Sequence, residues 1–304
     1  MKKERLYPLY SLLLLLLGAP VLAALAAPWV YRWLQSFAPD GSVLDAPFHR
    51  VTARIVLVVI LAFLFPAYRI SGMHSRNDLG LVKSPRWKSL IGLGLALGIG
   101  SMLIVYLLGT VLGVYVWDAG DETASYLIRK IIQILIGGLF IGVSEEILFR
   151  GFIFGALRKS LGVVAAVLIG SFLFSMVHFM RPTDPETVNR WYSGFLLLGN
   201  LFARAGSSFP QEASTLFCMG LVLSVLCYWT KSVYVAIGLH AGWVWVMMLF
   251  RLLTDNQKNL IGLYGTSEWV SKAWIGPILA LAVLAAVAFT REKWNALSAE
   301  TPVR

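Results

Sequence analysis

Residues 131–157 read IIQILIGGLFIGVSEEILFRGFIFGAL, and this stretch decides the fold. It is apolar and long enough to cross a bilayer as a helix, which takes about 20 residues. Two adjacent acids, Glu145 and Glu146, lie near its middle. A carboxylate at membrane depth costs about 2.5–3.5 kcal/mol on insertion scales. The pair is therefore a candidate functional site, and we expect the other acids of the chain to lie in loops or tails.

The composition is that of a membrane protein with several spans. The chain has 304 residues, of which 58% are hydrophobic and 14% are charged, whereas soluble domains average about 25% charged residues. The apolar runs are far longer than the roughly 10-residue strands of an outer-membrane barrel. The sequence therefore predicts an all-α, multi-pass helix bundle integral to a membrane, which in a bacterium is the inner or cell membrane.

The hydropathy pattern predicts about eight transmembrane helices. The predicted spans are 10–31, 51–68, 88–117, 130–157, 162–180, 213–229, 232–253 and 273–290. With the N-terminus inside, 15 of the 26 Lys and Arg fall on the inner side, as the positive-inside rule favours. We therefore expect both termini to be cytoplasmic. The first span is similar to a signal peptide, but its apolar run continues past the candidate cleavage site at Ala26, so we expect it to be retained.

The chain divides into three predicted parts: 1–80 with two N-terminal spans, 81–254 with the glutamate pair, and 255–304 with the last span and a tail. Within the middle part, the long connection 181–212 predicts a re-entrant or interfacial helix that covers a site. The net charge of +10 is explained by the basic inner loops. No basic stripe with interleaved aromatics is present outside the spans, so we expect no nucleic-acid partner.

Small residues predict where helices approach each other closely. Glycine pairs four residues apart allow such contacts, and they are Gly94 and Gly98, Gly109 and Gly113, Gly138 and Gly142, and Gly151 and Gly155. Cys218 and Cys227 are about 13 Å apart along one predicted helix, which is too far for a disulfide. We expect both cysteines to be packing residues.

The glutamate pair predicts two separate roles. Glu146 and Arg150 are four residues apart, so they share a helix face and can form an ion pair. Glu145 points about 100° away and is left to act as a general base that activates water. The alternative is a purely structural Glu146–Arg150 pair beside a bystander Glu145.

Two of the four histidines, His178 and His240, lie in predicted spans. A single intramembrane histidine often makes only a hydrogen bond between helices. Together with the glutamates, however, neutral imidazoles can bind zinc or share a proton. Phe174 lies four residues before His178 on the same face, where it either packs in the core or borders the site.

Three short motifs on three spans resemble those of the CPBP family: Glu145-Glu146-x-x-x-Arg150, Phe174-x-x-x-His178, and a third motif that contains His240. This family contains the CAAX prenyl endopeptidases of the second type and bacteriocin-processing or self-immunity proteins. The resemblance covers about residues 80–250, and it implies an intramembrane endopeptidase of eight helices. Its substrate would be a protein or peptide with a membrane-proximal cleavage site, and membrane lipids would surround it.

The resemblance also implies a role for each motif residue. Glu145 would activate water with the help of His178, whereas Glu146 and Arg150 would hold the site together. His240 would polarise the scissile carbonyl or help to bind a metal. Two mechanisms stay open: a metalloendopeptidase with zinc on Glu145, His178 and His240, or a metal-free glutamic peptidase.

One position departs from the family pattern. An Asn or Asp usually stands four residues after the third-motif histidine, where this chain has Val244. Loss of one oxyanion donor costs about 10²–10³ in rate, and the indole N–H of Trp243 is a candidate substitute. Because of Val244, one alternative is that the chain is a catalytically weakened family member that acts as a membrane scaffold. A proton-coupled transporter is a further alternative, because intramembrane Glu and His also relay protons.

Overall fold

The computed structural model describes residues 6–37, 46–118, 120, 122–179, 187–200, 208–256, 263–264 and 269–299. Its helices in chain order are α1 (Tyr7–Gln35), α2 (Phe48–Ile70), α3 (Trp87–Val111), α4 (Ala124–Leu161), α5 (Val163–Val177), α6 (Ser193–Gly199), α7 (Phe209–Thr230), α8 (Tyr234–Leu253), α9 (Ile275–Phe289) and α10 (Arg291–Ala299). Short 3₁₀ turns lie at Arg76–Leu79 and Val270–Lys272, and two strands are β1 (Tyr115–Trp117) and β2 (Thr254–Asn256). The predicted all-α class is confirmed.

The chain is a multi-pass membrane protein. Within the described residues, six helices are long and apolar enough to span a membrane, namely α1, α2, α3, α4, α7 and α8. A seventh span results if α9 and the start of α10, which are bent by 71°, count as one. Helix α5 is apolar but has only 15 residues. Each of the eight predicted spans falls on an apolar helix, but the count of eight and the cytoplasmic termini stay predictions.

The third predicted span is wrong beyond Val111. Helix α3 ends there, and Gly113 has a left-handed backbone with φ of 72°. The residues that follow form β1, which pairs antiparallel with β2, so that Tyr115 faces Asn256. This small sheet ties the C-terminal end of α3 to the C-terminal end of α8.

The structure forms two compact units, of which the first contains residues 1–74 and 176–206. Its helices α1, α2 and α6 pack around Ala27, Phe48 and Leu197, and the ring of Tyr31 meets Phe48 edge-on at 5.3 Å. The predicted covering helix in 181–212 corresponds to α6, while 181–186 and 201–207 lie outside the described residues. Whether it covers a site stays a prediction, as does the three-part division of the chain.

The second unit contains residues 75–175 and 207–304, and α8 is its central helix. Helices α3 and α8 run parallel and touch through glycines, as shown by Gly94 against Val235, Gly98 against Leu239, Gly238 against Ile91, and Gly242 against Ile99. Helix α4 meets α8 at Gly138 and Gly142. The predicted close helix contacts are confirmed for Gly94 and Gly98 and for Gly138 and Gly142. Cys218 and Cys227 are buried free thiols.

Candidate active site

Helix α4 changes its winding where the glutamate pair ends. Ordinary α-helix runs to Glu146, and a π-helical stretch then covers Ile147–Ile153 before the α-helix resumes. Such π-helical insertions are frequent at functional sites. Gly151 lies in this stretch, and a Cβ there would come within 2.9 Å of the carbonyl oxygen of Leu79. The wide turn is therefore packed tightly, and it directs Arg150 into the protein, where only 3% of that residue is exposed.

Glu146 and Arg150 form a buried ion pair. Glu146 is fully buried, and Nη1 of Arg150 donates to its Oε1 at 3.0 Å. The pairing predicted from the spacing is confirmed. Nη2 of Arg150 also reaches the carbonyl oxygen of Gly220 in α7 at 3.5 Å. A buried pair has a large desolvation cost, which only good geometry and further hydrogen bonds offset.

His240 completes a contact between two helices that are far apart in sequence. Its Nδ1 lies 2.9 Å from Oε1 of Glu146, across 94 residues of chain, and the histidine is buried. With Glu146 as a carboxylate beside Arg150, Oε1 can only accept, and Nδ1 of His240 would be the donor. In that tautomer, Nε2 is the ring nitrogen left for chemistry.

Phe174 lies against both partners of Glu146. The guanidinium carbon of Arg150 lies 4.3 Å from the centre of the Phe174 ring, and His240 meets this ring edge-on at 5.9 Å. Phe149 packs edge-on against Phe174 at 5.2 Å, and Phe174 is fully buried. An apolar wall of this kind keeps water away from the ion pair and strengthens its interactions. We call Glu146, Arg150, His240 and Phe174 the Glu146 cluster.

The two other sequence-based candidates are Glu145 and His178. Glu145 is half-buried, whereas Glu146 is fully buried. His178 directly follows the end of α5 at Val177, is half-buried, and falls in the first unit. The catalytic roles of Glu145 and His178 stay predictions.

The third motif differs from the sequence-based interpretation in one respect. Nε1–H of Trp243 donates to Oγ of Ser101 in α3 at 3.0 Å, so this donor is already used between helices. Val244 faces α4, where a Cβ on Gly138 would lie 3.2 Å from its Cγ1. The position of the family's polar residue is thus an apolar helix contact. Trp243 does not replace the missing amide in this geometry.

A second buried acid among the described residues, besides Glu146, was missed by the sequence analysis. Glu212 was expected in a loop, but it lies in the first turn of α7 and is only 8% exposed. Its neighbour Ala213 accepts a hydrogen bond from Oγ of Ser175 in α5 at 2.9 Å. Pro210 and Glu212 are both typical of a helix start, so this signal was present in the sequence.

The geometry does not assemble a metal centre from described residues. Across those residues, no three His, Cys, Asp or Glu side chains are grouped closely enough to hold an ion. The partners of Glu146 in its cluster are a histidine and a cation, Arg150. Zinc on Glu145, His178 and His240 remains what the resemblance implies, and no step below uses it.

A comparison with family models supports the resemblance. Residues 127–246 match the model described as "Type II CAAX prenyl endopeptidase Rce1-like". The matched segment contains the three motifs and every residue of the Glu146 cluster. No curated protein and no solved structure matches the chain. Over this segment the chain is therefore similar to the type II CAAX prenyl endopeptidases, in agreement with the resemblance to the CPBP family of intramembrane proteases.

Proposed function

We propose that this chain is an intramembrane endopeptidase, which hydrolyses a peptide bond of a membrane-associated protein or peptide with a glutamate-activated water and a histidine. The matched family supports a CAAX-type protease. The observation that carries the proposal is the 2.9 Å contact between His240 and Glu146. It joins the first and third motifs, which lie on different helices, in one buried polar cluster.

Glu146 and Arg150 position His240 in this proposal. Arg150 balances the charge of the carboxylate, and the carboxylate holds the imidazole by Nδ1. A buried carboxylate that fixes one ring nitrogen also stabilises the imidazolium when the other nitrogen takes up a proton. Nε2 can then polarise the scissile carbonyl as a donor, and the carboxylate offsets the added charge.

Glu145 acts as the general base. It is next to Glu146 in the chain and is half-buried, with its Oε2 enclosed by the protein. Glu145 takes a proton from water while the water oxygen attacks the carbonyl carbon, and the proton later passes to the leaving amine. His178 assists in these proton transfers. General acid–base groups of this kind contribute about 10²–10⁴ in rate.

Val244 predicts slow turnover rather than no turnover. An amide at this position would donate to the oxyanion, and loss of one such donor costs about 10²–10³ in rate. The apolar contact of Val244 with Gly138 shows that this chain uses the position for helix packing. The roles proposed for Glu145, His178 and His240 do not depend on the residue at position 244.

The proposal is tested with the purified chain in lipid and a fluorogenic, prenylated peptide that ends in a CAAX sequence. Glu145→Ala, His178→Ala and His240→Ala are each expected to lower the cleavage rate by at least about 10². The control is Glu122→Ala, which removes an exposed acid before α4 and leaves the rate unchanged. Full cleavage by Glu145→Ala contradicts the proposed base, and no cleavage by the wild type contradicts this substrate class.

A further inference from the structure

A pocket of about 1170 Å³ lies beside the first turns of α3 and α8. Two basic side chains, Arg76 and Lys83, contribute to its lining. Two aromatic residues, Trp87 and Tyr234, also line it, together with apolar residues such as Leu81. The pocket thus combines positive charge with apolar and aromatic surface.

The pocket lies at the level where two spans leave the membrane. Trp87 is the first residue of α3, and Tyr234 is the first residue of α8. Their ring centres are 6.2 Å apart, so both parallel helices begin on the same side. Trp and Tyr are enriched at the membrane–water interface, where lipid headgroups are found.

Three loops meet at this end of the second unit. The N–H of Val233 donates to the carbonyl oxygen of Gly80 at 3.1 Å, and Nζ of Lys159 lies 3.6 Å from Oδ1 of Asp78. The three segments 75–88, 158–162 and 231–233 contain seven basic residues and one acidic residue. The first turns of α3 and α8 add partial positive charge. This end of the unit therefore attracts anions.

We propose that this pocket binds the headgroup of an anionic phospholipid. Arg76 and Lys83 would hold the phosphate, while Leu81 and Trp87 would contact the glycerol and the first acyl carbons. A basic pocket between spans on the inner side of a membrane suits anionic lipid headgroups. The apolar part of the lining favours a lipid over a soluble anion. This site does not depend on whether the chain cleaves peptides.

The test is a native mass spectrometry titration of the purified full chain with phosphatidylglycerol and with phosphatidylcholine of identical acyl chains. The chain is expected to bind phosphatidylglycerol more tightly. The double variant Arg76→Gln/Lys83→Gln is expected to weaken this binding by about thirtyfold, which is about fivefold per basic group. Both side chains are exposed, so the variant is expected to stay folded and to bind phosphatidylcholine as before.

The matched control is Arg129→Gln/Lys130→Gln, which removes the same charge from the first turns of α4. It is expected to leave the dissociation constant for phosphatidylglycerol unchanged. The proposal is overturned if the control weakens binding as much as the test variant, or if the test variant binds like the wild type. Displacement of the lipid by an equal concentration of inorganic phosphate would also overturn it, because the site would then be one for soluble anions.

Discussion

Helix α8 makes two contacts of opposite kinds. Towards α3, backbone meets backbone at glycines, as where Gly98 of α3 lies against Leu239. Towards α4, there are also glycine contacts, at Gly138 and Gly142, but here His240 is in addition hydrogen-bonded to a buried ion pair of Glu146 and Arg150. The first contact depends on close packing, and the second on charge balance in an apolar environment. The comparison shows that α8 can be held in place by its packing against α3 while α4 supplies the charged partners of His240.

The two contacts are therefore expected to fail in opposite ways. The contact with α3 has no room for an added side-chain atom. It carries no charge, so removal of an atom there does not leave a buried charge without its partner. The contact with α4 depends on each charged partner, because removal of one leaves the other buried and unbalanced. Substitutions on α3 and α4 can measure this difference.

The largest expected effect on stability is that of Arg150→Leu. This change leaves Glu146 buried without its cation, and loss of one partner of a buried pair costs about 3–5 kcal/mol. The measurement is the free energy of unfolding in mixed micelles. The control is Arg129→Leu, which removes an exposed arginine from the same helix and is expected to have little effect.

A double variant sharpens this prediction. Glu146→Leu/Arg150→Leu removes both charges, and apolar replacement of a whole buried pair is often neutral for stability. We expect it to unfold with a free energy closer to the wild type than that of Arg150→Leu alone, while losing cleavage. A double variant less stable than Arg150→Leu would show that the contact with α4 does not depend on charge balance.

The contact with α3 is tested by a smaller change, Gly98→Ala. A Cβ at Gly98 would overlap the carbonyl oxygen of Leu239, and overpacking of this kind costs about 1–3 kcal/mol. The matched control is Gly100→Ala in the same helix, where a Cβ meets nothing within 4 Å. Unfolding measurements are expected to separate the two alanines, and equal stabilities would argue against the close α3–α8 contact.

The smallest effect is expected for Ser101→Ala. This change removes the acceptor of Nε1–H of Trp243, and hydrogen bonds between helices in membrane proteins average about 0.6 kcal/mol. Ser144→Ala is the control, because Oγ of Ser144 donates to Phe140 within its own helix. If Ser101→Ala lowered the free energy of unfolding as much as Arg150→Leu, the expected difference between the two contacts would be contradicted.

Local spacing predicted much of both contacts. Glu146 and Arg150 were expected to pair because residues four apart share a helix face, and Gly94 and Gly98 were expected at a helix contact for the same reason. Both expectations are confirmed. These relations lie within a single helix, so the sequence alone contains the geometry.

Relations between helices were not predictable in the same way. The sequence did not indicate that His240 bonds to Glu146 or that Trp243 donates to Ser101, because helix rotation and register decide these pairings. The π-helical stretch Ile147–Ile153 and the pairing of β1 with β2 also depend on tertiary contacts. Hydropathy gave the approximate positions of the spans but placed the end of α3 beyond Gly113, where the left-handed backbone follows the helix.

The central claim is that Glu146 and His240 act as one unit in peptide hydrolysis. The direct test is a double-mutant cycle of kcat/KM with Glu146→Gln, His240→Ala and the combined variant, measured on a cleaved peptide. Each single change is expected to lower kcat/KM strongly, and the combined variant to be no slower than the slower single variant, because residues that act as a unit are not additive. Losses that multiply in the combined variant, or a wild-type rate for Glu146→Gln, would contradict the account.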